Sequence, residues 1–479
     1  MKNFLLIAIL GLLPLSLSYG DSNKSEQAPK AFEKIKNVLF IITDDLRASV
    51  LPIYGDKLCR TPNIDRLANS GVVFEMAYCQ GTACQPSRPS IMHGIYPKSK
   101  FTPPSIGEHL KKFDIHTSRV SKVFHMGIPK EVMTGQNGAD VEACWDERYN
   151  VKSLETNSPG LFRQLNTGMV TREVEKRDPT GKNRMWASVE SDTKDGSDQA
   201  DYMAVSKAIE LLRKRKQEAK PFFMAVGLVR PHYPMVAPKR FFEMHPLNKI
   251  VIPPQIPGDR DDIPLAGHGH SGKGLENLED GRRRMWQGYY ASVAFMDEQL
   301  GRLIDELDKL GLRESTAIVF TSDHGYHLGE HDFWQKPNMH EHVARVPLII
   351  SAPSIKPARS SSPVELVDFY PTCNELFNVP HPEGIHGKSL IPILLNPQHM
   401  IRETALITER SGQGGSIRSK KWQYFKYTIK GGGEELYDMD KDPEQYTNLV
   451  NNPVYAQILK EYREKFEQRM SAVKWNWSK

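Results

Sequence analysis

Cysteine is scarce here: five in 479 residues, at Cys59, Cys79, Cys84, Cys144 and Cys373. That excludes a disulfide-dense small scaffold, and the odd number leaves at least one thiol without an internal partner. After the first twenty residues, no apolar stretch reaches the ~20 residues a membrane helix needs, so no integral membrane association is expected. Neither sign of charge dominates. The net charge is +5, too small a surplus to argue for nucleic acid, although a locally basic cleft for an anion remains compatible with it. No internal repeat is present. Apolar residues make up 39%, and 34 glycines bring the total near the globular norm of ~45–50%. Disorder, collagen and coiled coil are thereby excluded as the main description. The length allows two to four domains, or one large α/β domain with a smaller partner.

The first twenty residues stand apart. Lys2 is followed by an apolar run from Phe4 to Leu17, then by the small residues Ser18 and Gly20. This is the pattern of a secretory signal peptide over 1–20. A polar tether over 21–35 follows, and the mature protein is expected to be secreted or periplasmic.

Further on, short continuous apolar runs end in polar clusters. Asn37 to Ile42 leads into Asp44 and Asp45. Pro221 to Val229 leads into Arg230, Pro231 and His232. Thr316 to Phe320 leads into Asp323 and His324, and Val346 to Ile350 is a fourth run. Such runs read as strands buried on both faces of a parallel sheet. Helices fall between them. Thr61 is placed to cap one that begins at Pro62, and Ser105 to cap another. Asp198 to Lys214 and Trp286 to Leu310 carry helical periodicity. Strand and helix alternation predicts an α/β fold with a mostly parallel central sheet flanked by helices. Ligands in such folds bind at the carboxyl ends of the strands, where these clusters fall. The stretch from about 127 to 200 lacks periodicity and reads as long loops over the site. His268 and His270 read as part of a mobile loop. From Ile401 the pattern changes, and 401–479 reads as a smaller C-terminal α+β subdomain after a main domain over 36–400.

Residues 84–88 are Cys-Gln-Pro-Ser-Arg. Pro86 suits a first helical turn, which places Cys84 at a helix N-terminus with Arg88 one turn on. A nucleophile in an anion pocket follows, with a lowered thiol pKa. The other four cysteines read as small buried hydrophobes. Asp44, Asp45 and Asp323 offer hard carboxylates that suit Ca²⁺ or Mg²⁺, while the softer His324 leaves Zn²⁺ or Mn²⁺ open.

The Cys-x-Pro-Ser-Arg segment resembles the signature of the type I sulfatases, whose cysteine is oxidised to formylglycine by a formylglycine-generating enzyme. The order Asp44-Asp45, Cys84 to Arg88, Lys122 to His125, His232, Asp323-His324 and Lys336 is similar to that family's active-site order. The stretches Ile42 to Arg47, Phe223 to Gly227 and Ser322 to His331 resemble its iduronate 2-sulfatase branch most. The resemblance implies an alkaline-phosphatase-like fold and one Ca²⁺ ion at Asp44, Asp45, Cys84, Asp323 and His324. It also implies catalytic roles for Cys84, Arg88, Lys122, His125, His232 and Lys336. Arg88, Lys122 and Lys336 would neutralise the sulfuryl group, His232 would be the general acid and His125 the base. The substrate implied is a sulfated carbohydrate, with a 2-O-sulfated uronic acid favoured. His327, His331, His340 and His342 lie near Lys336 and could contact the sugar. A phosphodiesterase or phosphonate hydrolase on the same fold, and a non-enzymatic glycan-binding protein, are the alternative readings.

Overall fold

The apolar runs form one eight-stranded sheet in the computed structural model, which describes residues 32–166, 172–173, 184–271, 279–336, 338–409, 412–429 and 431–473. The expected signal peptide and nearly all of the tether lie outside the described residues. The strands are β1 (Asn37–Asp44), β2 (Val72–Phe74), β3 (His116–Ser121), β4 (Glu147–Tyr149), β5 (Phe222–Pro231), β6 (Thr316–Ser322), β7 (Leu348–Ser351) and β8 (Ala358–Ser360). Their order across the sheet is β8-β2-β7-β6-β1-β5-β3-β4. From β6 to β4 every pair is parallel. β7 runs antiparallel to both β6 and β2, and β8 is parallel to β2.

Every residue of β1 is buried, because helices cover both faces. Leu39 and Ile41 face one core, shared with Leu211 and Leu212 of a helix at Ala200–Glu218 and with Val293, Leu300 and Leu307 of a helix at Glu279–Lys309. Val38, Phe40 and Ile42 face the other, with Ile91, Leu110 and Phe369. Alternation along β1 thus divides one strand between two cores, as the pleat requires.

Register sets the working edge. Asn37 lies opposite both Thr316 and Phe222, so β1, β5 and β6 advance together. They deliver Asp44, Pro231 and Ser322 to one rim. β3 joins them, with Ser121 opposite Gly227. A Cβ at Gly227 would lie 2.0 Å from the Lys122 carbonyl oxygen. Only glycine lets that chain cross so closely and bring Lys122 to the rim.

Two expectations meet corrections. The segment from 127 to 200 is not only loop. Gly160–Asn166 and Arg184–Ser191 pair antiparallel within a separate four-stranded sheet that also holds Met235–Pro238. Its core is small, with Phe162, Ala187, Val189 and Val236, which explains the weak periodicity. Thr61 makes no side-chain cap. Asp297 of the long helix caps instead, accepting from the amide N–H of Ile64 at 2.7 Å and of Asn63 at 3.1 Å. Ser105 does cap its helix, in a reciprocal box with Glu108. The His268–His270 stretch enters a short strand, His270–Ser271, paired antiparallel with the segment Phe333–Gln335.

The C-terminal part is a four-stranded antiparallel sheet, Ala405 to Asp438, backed by a helix at Ala456–Ala472. Leu459, Tyr462, Phe466 and Met470 of that helix pack on Leu406, Ile417, Tyr424 and Leu436. Ion pairs tie it to the main domain: Arg402 on Asp368, and Arg469 on Glu365 at 2.6 Å. Among the described residues no helix is long and apolar enough to cross a membrane.

Asp297→Ala removes the acceptor for two backbone N–H groups at a helix start. The expected loss is about 1–2 kcal/mol of stability, read from the midpoint of urea unfolding; an unchanged midpoint would show that the cap contributes nothing.

Candidate active site

The site is built where β1 and β6 end. Asp44 closes β1, and Asp45 turns away with φ of 66°, a left-handed conformation costly for a residue with a Cβ. Surrounding bonds hold it there. The Tyr289 hydroxyl donates to the Asp45 carbonyl at 2.5 Å, and the Asp45 N–H donates to Asp323 Oδ1 at 3.2 Å. Next in chain, the Leu46 N–H donates to Ser322 Oγ at 2.9 Å. His324 donates its own N–H to Asp323 Oδ1 at 2.9 Å, and its ring Nδ1 lies 2.9 Å from the Gly325 carbonyl. That contact assigns the proton to Nδ1 and leaves Nε2 as a lone pair facing the site.

Cys84 opens the helix Cys84–His93 as the sequence predicts. Its thiol donates to Asp44 Oδ1 at 3.2 Å, lies 3.3 Å from His324 Nε2, and accepts from Lys336 Nζ at 3.1 Å. Lys336 also donates to Asp45 Oδ1 at 2.6 Å. One ligand atom from each of Asp44, Asp45, Cys84 and His324 falls within a span of 4.8 Å. Asp323 stands beside this group, its Oδ2 3.6 Å from His324 Nε2.

Arg88 differs from expectation. It is wholly buried, and its donors go to protein. Nε reaches Asp323 Oδ2 at 2.8 Å, Nη1 reaches the carbonyls of Lys122 and Val123, and Nη2 reaches the Thr43 carbonyl at 3.1 Å. Its guanidinium therefore ties together three strand ends. Lys122 Nζ abuts Asp44 Oδ2, yet neither atom has a hydrogen bond. His232 sits 3.8 Å from Asp45 Oδ2 through Nε2, with its Nδ1 on the Tyr233 carbonyl and its side chain 17% exposed. His125 Nδ1 is buried and has no partner among the described residues.

Electrostatics split the two aspartates. Burial pushes Asp44 toward the neutral acid, but Lys122, His232 and Arg88 outweigh it and hold its pKa well below the usual carboxylate range. For Asp45, burial, with Asp44 and Asp323 adding repulsion, outweighs Lys336 and raises the pKa. Burial opposes the charge on Lys336, yet Asp45, Cys84 and Asp44 raise its pKa well above normal. Burial lowers His232 well below the ordinary imidazole range, and Lys122 adds to it; His125 is lowered by the same two causes. Cys84 reverses the sequence expectation. Burial and the Asp44 carboxylate push its thiol up, not down. As a thiol it is protonated and a poor nucleophile.

A divalent cation fits this donor set. Two of its four ligand atoms are hard carboxylate oxygens, Asp44 Oδ2 is buried with the Lys122 ammonium as its neighbour, and Asp45 resists ionising beside two like charges. A positive ion would suit those donors and relieve the repulsion on Asp45.

Several contributors escaped the sequence reading. Tyr289 lies on the apolar stripe of the long helix, so its hydroxyl on Asp45 carried no signal. The histidines near Lys336 are engaged by protein. His331 meets Asp259 at 3.0 Å, His340 meets Glu435 at 2.8 Å, His342 meets Glu444 at 2.8 Å, and His327 meets Asn338 at 2.9 Å. His340 and His342 thereby tie their segment to the C-terminal part of the chain, through Glu435 and Glu444. All five cysteines are free and buried.

The Sulfatase family model matches residues 36–379, and a second model, N-sulphoglucosamine sulphohydrolase, C-terminal, matches 329–472. A protein named sulfatase from Formosa agariphila is 30% identical, over 93% of this chain and 88% of the relative. Human (Homo sapiens) iduronate 2-sulfatase is 34% identical over 66% of this chain, and the match spans 60% of the human protein's length. Two solved structures share the fold. A phosphonate monoester hydrolase of Agrobacterium radiobacter aligns at TM-score 0.73 and 18% identity, over 91% of this chain and 96% of that one. A protein in complex with its substrate D-glucosamine-2-N,6-O-disulfate aligns at TM-score 0.68 and 23% identity, over 92% and 98%.

Added divalent cation is expected to raise the thermal midpoint, by the equivalent of about 2.7 kcal/mol at a hundredfold excess over Kd. Asp45→Asn should abolish most of that rise. An equal rise in both proteins removes Asp45 from the metal site.

Proposed function

This chain belongs to the sulfatase family, and on that premise we propose that it is an exported enzyme releasing sulfate from a sulfated sugar, with a 2-O-sulfated uronic acid of a polysaccharide as the favoured substrate. It is a sulfuric ester hydrolase by family. The sugar is supported by the likeness to iduronate 2-sulfatase and by the disulfated glucosamine bound to a protein of the same fold. Export is supported by the pattern of the first twenty residues. The observation that carries the reading is Cys84 at a helix start, held between Asp44 Oδ1 at 3.2 Å and Lys336 Nζ at 3.1 Å.

The raised pKa of the Cys84 thiol favours a converted side chain at that position. The sulfur marks where the aldehyde oxygen of formylglycine would stand. Formylglycine, hydrated by water to a geminal diol, would supply an oxygen nucleophile and a second hydroxyl able later to expel the sulfate, and a Ca²⁺ ion held by Asp44, Asp45, Asp323 and His324 would polarise the sulfate oxygens. The chain's own residues do the rest. Lys336 and Lys122 neutralise charge that builds on the sulfuryl group. Arg88 acts by holding Asp44 and Asp323 in place, since its guanidinium is engaged by Asp323, by three backbone carbonyls and by Asp44 Oδ1 at 3.6 Å. His232 keeps its Nδ1 proton on the Tyr233 carbonyl, so Nε2 faces the site. An arriving anion raises its pKa, and Nε2 then carries a proton to the departing sugar oxygen. His125, held neutral by burial and by Lys122, is suited to accept a proton.

The charges agree. Asp44, Asp45 and Asp323 are offset by Arg88, Lys122 and Lys336. A divalent cation then leaves a positive surplus for a sulfate monoester. A phosphonate or phosphodiester substrate is the second reading, favoured by the fold shared with phosphonate monoester hydrolase.

Converted protein is expected to release sulfate from 2-O-sulfated uronate disaccharides, measured by ion chromatography, and Cys84→Ser and a chelator each to stop multiple turnover. Release from phenylphosphonate esters and from no sulfate ester would establish the second reading instead. His232→Ala should lower kcat on a sulfated sugar about 10²–10⁴-fold and much less on an aryl sulfate, whose leaving group needs no proton. Equal losses on both would exclude His232 as the acid.

A further inference from the structure

We propose that His331 is a positioning residue that works as an imidazolium: it pins the tip of the hairpin that carries Lys336, and losing its second proton releases the pin. The role of Lys336 rests on the sulfatase reading above; the charge on His331 does not. The hairpin pairs His327–Leu328 with Phe333–Gln335, and the latter strand also pairs with His270–Ser271. Lys336 follows directly and donates to Asp45 Oδ1 and to the Cys84 sulfur. Whatever fixes the hairpin therefore helps to fix Lys336.

The tip is strained. His331 has φ of 55° and Asp332 of 54°. Two successive residues with a Cβ stay in the left-handed region only where their surroundings over-determine them. Two acceptors do so at His331. Its Nδ1 lies 3.0 Å from Asp259 Oδ2, and its Nε2 lies 2.8 Å from the Glu444 carbonyl oxygen. Neither a carboxylate nor a carbonyl has a proton to give. A neutral imidazole has one N–H, so one of these contacts would set two lone pairs against each other. Both bonds form only when both ring nitrogens are protonated. His331 is 2% exposed, which leaves water little room to replace either bond. The doubly protonated ring thus ties the tip to the segment 256–262 on one side and to the C-terminal part of the chain on the other.

The groups around the ring agree with that charge. Asp259 Oδ1 is buried with no hydrogen-bond partner among the described residues, so His331 is the main counter-charge of this carboxylate. Glu330, on the same turn, and Asp262 act on the ring from further away. Glu330 also pairs with Arg47 at 2.6 Å, Asp332 with Arg260 at 3.4 Å, and the Glu444 carboxylate with His342 at 2.8 Å. His340 stacks on His331 with centroids 5.4 Å apart and has its own carboxylate, Glu435, at 2.8 Å. His327 meets the ring edge-on at 6.5 Å; burial pushes it down to about 4, so it is neutral. The Tyr446 ring lies 5.0 Å away, and burial raises its phenol, which stays uncharged. Burial opposes the charge on His331 itself, but Asp259 outweighs it and raises the pKa above the ordinary imidazole value. A histidine whose pKa is raised by folding stabilises the fold fully below its unfolded value of ~6.5 and loses that contribution as pH rises through the raised one. One N–H proton then passes to solvent, one bond is lost, and the pin opens.

The test has three readouts on the full chain. The His331 ring, assigned in a ¹⁵N-histidine spectrum by its absence in His331→Asn, should titrate above ~6.5, and Asp259→Asn should bring it down. Asparagine suits the left-handed backbone at 331. Should that variant not fold, Asp259→Asn keeps the side chain's size, and the histidine signal it shifts gives the assignment. Hydrogen exchange of the peptide 327–336 should be about tenfold faster in either variant below the measured pKa, the difference shrinking above it. In converted protein, kcat on an aryl sulfate should be about tenfold lower in His331→Asn below that pKa, and the two activities should converge as pH rises. A ring that titrates at or below the ordinary value, or exchange in 327–336 that neither variant alters, overturns the pin. An activity ratio that is the same at every pH overturns the link to Lys336. If titration and exchange behave as stated while the converted protein hydrolyses no sulfate ester, the sulfatase reading fails and the pin stands.

Discussion

A single buried guanidinium holds the reacting edge together. Arg88 reaches β1 through the Thr43 carbonyl, β6 through Asp323, and the chain after β3 through the Lys122 and Val123 carbonyls. Three strand ends are thereby joined beyond the ladder's last rung, in addition to the Asp45 and Leu46 bonds from β1 to the end of β6. The planar fork suits this work, because its donors diverge in fixed directions. A lysine at the same point could offer charge but not that geometry.

The cost of the arrangement is a crowd of buried like charges, and the rest of the site follows from it. Asp44, Asp45 and Asp323 stand within reach of one another, and burial alone would neutralise them. Asp44 stays ionised because Lys122, Arg88 and His232 surround it. Asp45 is left less well supported. The region therefore asks for a further cation and, once it has one, for an anion. A sulfate ester supplies the anion.

Much of this was legible in the sequence, for a physical reason. Central parallel strands are apolar at every position, so Asn37 to Ile42 and Thr316 to Phe320 announced themselves, and the polar residues after them had to lie at the rim. Asp44, Asp45 and His324 come together as that rim implies, whereas Cys84 was read from a helix start and Lys336 from the family resemblance. What escaped was anything set by distant partners. Asp297 caps a helix 234 positions earlier, while Thr61 beside the helix does not. The thiol pKa was misjudged because the helix end is local, while burial and Asp44, which push it up, are set by distant packing. Arg88 was read for its charge, but where its donors go depends on carbonyls of β1 and β3. The strands at Gly160–Asn166 and Arg184–Ser191 bury too few apolar residues to carry a period.

Pairing between β1 and β6 also gives this chain a schedule. Asp44 and Lys336 are separated by 292 residues of synthesis (336 minus 44). At ~5–20 residues per second a ribosome needs roughly 15–60 s to cover that distance. Until its end the pocket is incomplete, and until Ser322 is made the helix carrying Cys84 has no full β6 to close over it. In the finished fold the same residue is 4% exposed. Any macromolecule that must reach its thiol therefore competes with elongation, and the topology of the sheet sets the clock.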